Sequence, residues 1–222
     1  MSNKQNYQKM LDCVLDNRDT YGKKLLLHSC CAPCSSYVLV YLSRYFEITV
    51  FYYNPNITEQ AEYQKRVAEQ KRLIEELNKE RGMGEKRFPI HVKEGDYEPE
   101  QFCRIAEGHE SDPEGGARCF ACYGLRLQKT AEAAAQGAFD FFTTTLTISP
   151  LKNAEKLNEI GKKLGESCGV PYLLSDFKKK NGYLTSIELS KKYHLYRQDY
   201  CGCVYSTAER EKQKKERNEE ET

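Results

Sequence analysis

The chain of 222 residues has no tryptophan, and it has almost no net charge, since 34 Lys and Arg residues face 33 Asp and Glu residues. This balance excludes a strongly basic nucleic-acid coat protein and a highly acidic solvating chain, but it permits a local basic patch. No run of about 18 apolar residues occurs, so we expect no membrane-spanning helix. Residues 1–6 contain no apolar segment, so we expect no secretory signal. We therefore expect a cytoplasmic protein with no membrane partner.

Cysteine, in contrast, is abundant, and seven of the ten cysteines fall into three groups. In a reducing compartment, grouped cysteines more often bind metal or perform redox chemistry than form structural disulfides. The groups are Cys30, Cys31 and Cys34; Cys119 and Cys122; and Cys201 and Cys203. The isolated cysteines are Cys13, Cys103 and Cys168.

The spacing within the groups suggests their chemistry. Cys119 and Cys122 place two thiols one helical turn apart, which suits two ligands of one metal centre. Ligand sets made of sulfur alone select zinc or an iron–sulfur cluster, and spacing does not choose between them. A disulfide between Cys201 and Cys203 would close a very small, strained ring, and strained disulfides exchange readily. We favour a two-electron relay for this pair over two unconnected thiols.

Short apolar segments alternate with helical patterns along most of the chain. Strands are predicted at residues 25–27, 48–53, 88–92, 139–146 and 172–174, and helices at 7–17, 35–45, 58–78, 98–107, 122–136, 152–166 and 185–195. The alternation predicts an α/β fold with a mostly parallel sheet flanked by helices. Ligands of such sheets bind beyond the carboxyl ends of the strands, where the first cysteine group is expected.

The chain is expected to form one α/β domain over residues 1–208, which carries all the cysteine groups and has a helical, cysteine-bearing C-terminal part. Residues 81–86 contain two glycines and are predicted to form a loop. Residues 209–222 are nearly all charged and are expected to form a solvated helix that frays into a disordered, charged C-terminal tail.

Five segments, taken together and in this order, resemble the epoxyqueuosine reductases of the QueH family. They are LLHSCCAPCSS at residues 26–36, YNPNI at 53–57, RCFACY at 118–123, TLTISP at 145–150 and YRQDYCGC at 196–203. The resemblance spans nearly the whole chain. It implies an oxidoreductase of queuosine biosynthesis that converts epoxyqueuosine to queuosine at the wobble position of tRNA. It also implies a nucleotide-binding-like, Rossmann-type fold.

The same resemblance implies the cofactors and the residues that hold them. A [4Fe–4S] cluster is expected on Cys30, Cys31, Cys119 and Cys122, and a redox-active disulfide between Cys201 and Cys203. An additional iron ion is also implied, and Cys34 is the candidate ligand for it. The implied partners are a tRNA anticodon loop that carries epoxyqueuosine and an external electron donor.

Removing the oxygen of an epoxide to leave an alkene takes two electrons and two protons. Candidate proton donors are Asp96, His28 and Tyr123. Unpaired loop bases are recognised by stacking on aromatic side chains and arginine. Candidate RNA contacts are therefore Tyr193, Tyr196, Arg197 and Tyr200, with the lysines at 178–180 and 191–192 facing phosphates.

Three other hypotheses compete with this one. The first is a structural zinc protein that binds nucleic acid without catalysis. The second is an ATP-using tRNA-modifying enzyme, which would need a glycine-rich phosphate loop after the first strand; residues 30–34 contain no glycine there. The third is a metal-free thiol–disulfide oxidoreductase that uses Cys119 and Cys122, which leaves Cys30 and Cys31 unexplained.

Overall fold

The computed structural model describes residues 5–81 and 86–220, with side chains up to residue 216. The four strands form one all-parallel sheet in the order β3-β2-β1-β4. They are β1 (Lys24–His28), β2 (Glu47–Tyr52), β3 (Ile90–Glu94) and β4 (Phe141–Thr144). The helices are α1 (Tyr7–Leu15), α2 (Ala32–Leu42), α3 (Gln60–Glu80), α4 (Pro99–Ala106), α5 (Ala117–Gln136), α6 (Ala154–Cys168), α7 (Gly182–Lys192) and α8 (Val204–Glu220). The predicted α/β fold is confirmed.

The central strand β1 explains why helices cover both faces of the sheet. Leu25, Leu26 and Leu27 are all completely buried. Successive side chains of a strand point to opposite faces, so three adjacent buried leucines require cover on both sides. Leu25 and Leu27 pack in the core that α1, α2 and α3 help to form, whereas Leu26 packs with residues of α5 and α6. The sheet is therefore the middle layer of three.

Helix α2 begins earlier than the sequence suggested. Its first residue is Ala32, and the preceding residue, Cys31, has extended backbone. The predicted start at about residue 35 is wrong because Pro33 lies in the first turn, where a helix needs no backbone N–H donor. As a result, Cys34 lies on the helix itself.

Two further boundaries differ from prediction. Helix α5 begins at Ala117, so both Cys119 and Cys122 lie within it. Strand β4 ends at Thr144, because the chain then enters a short 3₁₀ turn at Thr145–Ile148. Of the predicted strand at residues 172–174, one residue, Tyr172, forms a parallel bridge to β4.

The C-terminal helix α8 includes most of the charged segment at residues 209–222, for which a solvated helix that frays into a tail was expected. Arg210 and Lys214 approach the carboxylate of Asp199, at 3.3 Å and 3.6 Å. Residues 221–222 lie outside the described residues, as do residues 82–85 of the predicted loop. Within the described part of the chain, no helix is both long and apolar enough to cross a bilayer.

Candidate metal and redox site

The first cysteine group lies at the carboxyl end of β1, where the chain turns into α2. The Sγ atoms of Cys30, Cys31 and Cys34 all lie within 4.8 Å of one another. Cys31 is extended and precedes the helix, whereas Cys34 lies in the first turn of the helix, which brings its thiol back toward the other two. Thr145, which follows β4, also contacts this group through its hydroxyl, 3.5 Å from Cys30 Sγ. The three thiols form a compact sulfur donor set.

Crowding changes the acidity of these thiols in opposite directions. Hydrogen bonds from the thiols of Cys31 and Cys34, together with the nearby Arg126 guanidinium, hold the pKa of Cys30 well below its ordinary value. The hydrogen bond to Cys30 and burial raise the pKa of Cys31 to about 12. The pKa of Cys34 is raised for the same reasons. Cys30 is therefore the most acidic of the three thiols.

The second group lies in the first turns of α5. Cys122 is buried, and burial raises the pKa of its thiol to about 12. Cys119 is partly exposed, and its Sγ accepts a hydrogen bond of 3.3 Å from the backbone N–H of Gly115. One helical turn separates the two residues, so both thiols face the same region.

The third group lies in the turn that precedes α8, and both of its thiols are free. Gly202 has a φ of +105° there, and a Cβ atom at this position would lie 3.0 Å from Ile57 and 3.1 Å from Arg66. Arg66 also donates a hydrogen bond of 3.1 Å to the carbonyl of Cys201. The thiol of buried Cys203 accepts from the backbone N–H of Ser206 at 3.4 Å. The turn is therefore held against the start of α3.

All three groups line two adjoining cavities. The larger, of about 510 Å³, is lined by Cys30, Cys31, Cys34 and Cys201 among other residues. The second is much narrower and is lined by Cys119, Cys122, Cys201 and Cys203. The residues that line both cavities are Asn56, Glu114, Arg126, Lys152 and Cys201. Cys201 thus lies at the boundary between the sulfur donors of β1–α2 and those of α5.

The five segments singled out in the sequence all contribute to these walls. Asn54 and Asn56 follow β2, and Ile148, Ser149 and Pro150 follow β4. Asn54 donates to the carbonyl of Ser29 at 2.9 Å, and Asn56 donates to Cys201 Sγ at 3.6 Å. The carboxyl edge of the sheet therefore brings together segments that are far apart in the chain.

Three largely buried cations at the cavities were missed by the sequence interpretation: Arg66, Arg126 and Lys152. The side chains of Arg66 and Arg126 are 2% and 1% exposed, and Lys152 pairs with Glu114 at 3.0 Å. The position of Arg126 offered one signal, since it follows Cys122 by four residues and so shares its helix face. Arg66 and Lys152 offered no such signal, because both are far from any cysteine in the chain.

The three candidate proton donors differ in their burial and in their position relative to the two cavities. His28 is fully buried and bonded to Thr144 at 2.8 Å, and burial followed by the charge of Arg126 lowers its pKa to about 3. Asp96 is exposed. Neither His28 nor Asp96 lines either of the two cavities. Tyr123 lines the narrow cavity, and its buried hydroxyl has no hydrogen-bond partner among the described residues.

Only some of the candidate RNA contacts line the large cavity. Arg197 and Tyr200 line the large cavity, with the Arg197 guanidinium 5.8 Å from the centre of the Tyr183 ring. Tyr193 is buried and bonded to Glu80, and Tyr196 is bonded to Glu62. Three of the lysines form ion pairs: Lys178 with Asp176, Lys180 with Asp12, and Lys192 with Glu80. The part of the segment that faces the cavity is therefore Arg197 to Cys201.

Comparison with known proteins identifies the same family as the five sequence segments. The family model described as "Epoxyqueuosine reductase QueH" matches residues 25–209. Similar curated proteins carry the same name. The one from Staphylococcus epidermidis is 41% identical over 91% of this chain and 85% of its own length. The one from Streptococcus pyogenes is 40% identical over 91% of this chain and 78% of its own length. The one from Thermotoga maritima is 33% identical over 84% of this chain and 91% of its own length.

The turn at Gly202 provides a test of the site's geometry. In Gly202→Ala the new methyl group has to displace Ile57 or Arg66, so we expect the turn to open more often. If opening relieves about 1.4 kcal/mol of strain, Cys203 is exposed roughly tenfold more often. The measurement is the alkylation rate of Cys203, followed by peptide mass spectrometry. Gly108→Ala is the control, because Gly108 also has a positive φ but open space around it. Equal protection of Cys203 in both variants would contradict the close contact.

Proposed function

The chain belongs to the epoxyqueuosine reductase QueH family, and we propose that its grouped cysteines carry the reduction of epoxyqueuosine to queuosine in tRNA. The protein is accordingly an oxidoreductase of queuosine biosynthesis. The observation that supports the role of the cysteines is their placement, since all seven line the two adjoining cavities. The matched residues 25–209 include every one of them.

We assign a [4Fe–4S] cluster to Cys30, Cys31, Cys119 and Cys122, and an additional iron ion to Cys34. The donor chemistry fits such a centre, because sulfur-only ligand sets select zinc or iron–sulfur clusters. Cys34 lies with Cys30 and Cys31 within 4.8 Å, which makes it available to a second metal beside the cluster. When bound, the cluster supplies electrons singly in a partly buried site. Family membership does not favour the hypothesis of a non-catalytic zinc protein.

The pair Cys201 and Cys203 accounts for the stoichiometry of the reaction. Two C–O bonds of the epoxide break, an alkene forms, and the oxygen leaves as water. This consumes two electrons and two protons, which oxidation of the two thiols to a disulfide releases. An external electron donor then reduces the disulfide again. The position of Cys201 in the walls of both cavities supports this role.

The large cavity is the site that we assign to the modified nucleoside. Its volume of about 510 Å³ lies within the range of small-molecule pockets. Tyr183 and Arg197 are positioned at its wall as a stacking surface for a base, the means by which proteins hold unpaired RNA bases. Leu151, which is 66% exposed, also lines this cavity and offers apolar surface to a neighbouring nucleotide.

Two protonated groups line the narrow cavity, and one of them, Lys152, also lines the large cavity. The ammonium of Lys152 stays protonated, since its pKa is raised by Cys201, Tyr123 and Glu114 against the opposing effect of burial. The Tyr123 hydroxyl is also protonated, because burial raises its pKa. Both groups line the narrow cavity together with Cys201, and we assign to them the delivery of protons toward the departing oxygen.

Replacing a cluster ligand tests the metal assignment. In Cys122→Ser we expect loss of bound iron and sulfide, loss of visible absorption and loss of reductase activity. The measurement is iron, zinc and sulfide analysis of anaerobically purified protein, beside an assay on epoxyqueuosine tRNA. The matched control is Cys13→Ser, which changes an exposed cysteine outside the groups and should retain all four properties. A colourless wild-type protein with bound zinc would refute the cluster, and so would full activity in Cys122→Ser.

Replacing the second thiol of the relay separates its role from that of the cluster. In Cys203→Ser we expect full iron content but no multiple turnover, because the chain can no longer form the disulfide. The measurement is queuosine formed per protein molecule with excess reductant, with Cys168→Ser as the control at an isolated cysteine. Wild-type turnover in Cys203→Ser would exclude the thiol pair from the reaction and leave the cluster assignment intact.

The stacking surface makes a prediction about tRNA affinity. In Arg197→Ala we expect binding of the anticodon stem-loop to weaken by about 1–3 kcal/mol, the usual worth of a stacking contact. Affinity should also fall steeply with salt, since neutralised phosphates release counterions. Fluorescence anisotropy at several salt concentrations measures both effects. Lys162→Ala, on the outer surface of α6, is the control for loss of one exposed cation. Equal affinity in the two variants would contradict the assigned surface.

A further inference from the structure

Arg126 is a buried cation whose charge is not balanced by any carboxylate of the described residues. It projects from α5 and is 1% exposed. Its Nε donates to the ring of His28 at 3.3 Å, and one terminal nitrogen donates to the side-chain oxygen of Asn54. Neither of these partners is a carboxylate. A buried charge without a counter-charge costs several kcal/mol. The fold must therefore supply negative charge by other means.

The acidic groups around Arg126 are thiols, and they come from all three cysteine groups. Arg126 lines the large cavity together with Cys30 and Cys201, and the narrow cavity together with Cys122 and Cys201. The carboxylates of the cavity walls are engaged elsewhere, because Glu114 pairs with Lys152 and Asp199 pairs with Arg210. The guanidinium thus lies where sulfur from β1–α2, from α5 and from the turn before α8 converges.

The neighbours of Arg126 also fix its orientation. His28 is tied to Thr144 at 2.8 Å, and Asn54 is tied to the carbonyl of Ser29 at 2.9 Å. An arginine has five N–H donors, and these two partners take two of them. The remaining donors are left for sulfur. Charge-assisted hydrogen bonds to thiolate are stronger than neutral ones, so a fixed guanidinium is suited to an anionic sulfur centre.

We propose that Arg126 is the counter-ion of the cluster-binding thiolates and that it raises the reduction potential of the cluster they hold. This inference rests on the proposed cluster. Four thiolates give the oxidised centre a net negative charge, and reduction adds one more. A buried cation stabilises the more negative state, and hydrogen bonds and charge near the sulfurs are known determinants of cluster potentials. The alternative is a purely structural arginine that joins α5 to the ends of β1 and β2.

The test is an anaerobic redox titration of the reconstituted full-length protein, monitored by electron paramagnetic resonance. In Arg126→Gln we expect reduction to become at least about tenfold less favourable, which for one electron is a shift of about 59 mV to lower potential. Arg126→Lys retains the charge and should remain closer to wild type. The control is Lys129→Gln, which removes a half-exposed cation one turn along the same helix and should not change the potential. An unchanged potential in Arg126→Gln would overturn the proposal.

A second measurement covers the case in which Arg126→Gln is poorly folded. Asn54→Asp keeps Arg126 in place but gives it a carboxylate partner. We expect this variant also to lower the potential, and an unchanged value would overturn the proposal. The unfolding temperatures of cluster-free and loaded protein provide a further discrimination. A counter-ion predicts that Arg126→Gln destabilises the loaded protein more, whereas a structural arginine predicts equal losses in both forms.

The cluster assignment and the counter-ion role of Arg126 can be refuted separately. If the wild-type chain binds iron and sulfide but Arg126→Gln has the wild-type potential, the counter-ion role is wrong and the cluster stands. If the wild-type chain binds neither iron nor sulfide after anaerobic reconstitution, both are wrong.

Discussion

The parallel order of β2, β1 and β4 places their carboxyl ends at one edge of the sheet, and the rest of the site depends on this arrangement. Each strand is followed by a segment that lines the cavities, and α5 and the turn before α8 complete the walls. Sulfur donors from three distant parts of the chain meet there without a structural disulfide among the described residues. In a parallel sheet, each crossover helix returns the chain to the edge at which the preceding strand began. All strands therefore end at the opposite edge.

The balance between cationic and anionic side chains explains how buried arginines can be packed beside so many thiols. A guanidinium at Arg126 and another at Arg66 would be unfavourable in an apolar interior. Glu62 compensates Arg66 through an ion pair of 2.6 Å, and the same arginine anchors the turn that bears Cys201. Arg126 faces sulfur instead of carboxylate. This difference between the two arginines underlies the counter-ion role that we propose for Arg126.

The sequence permitted much of the fold to be predicted, but not the limits of two functional helices. The apolar run in β1 identified a buried strand because each of its leucines needs cover on one face or the other. The start of α2 was missed because Pro33 is compatible both with a turn and with the first turn of a helix. The start of α5 was missed because Gly116, which precedes it, offers no capping side chain.

What the sequence determined by itself is the inventory: three cysteine groups, their local spacing and the family to which their order belongs. Local geometry, such as the single helical turn between Cys119 and Cys122, is determined by residues that are close together in the chain. Tertiary structure alone decided which groups share a wall, that Cys201 lies between the other sulfur donors, and that Arg126 faces a thiol of each group. These relations depend on strand order and on burial, which bring together residues separated by many tens of positions and remove them from water.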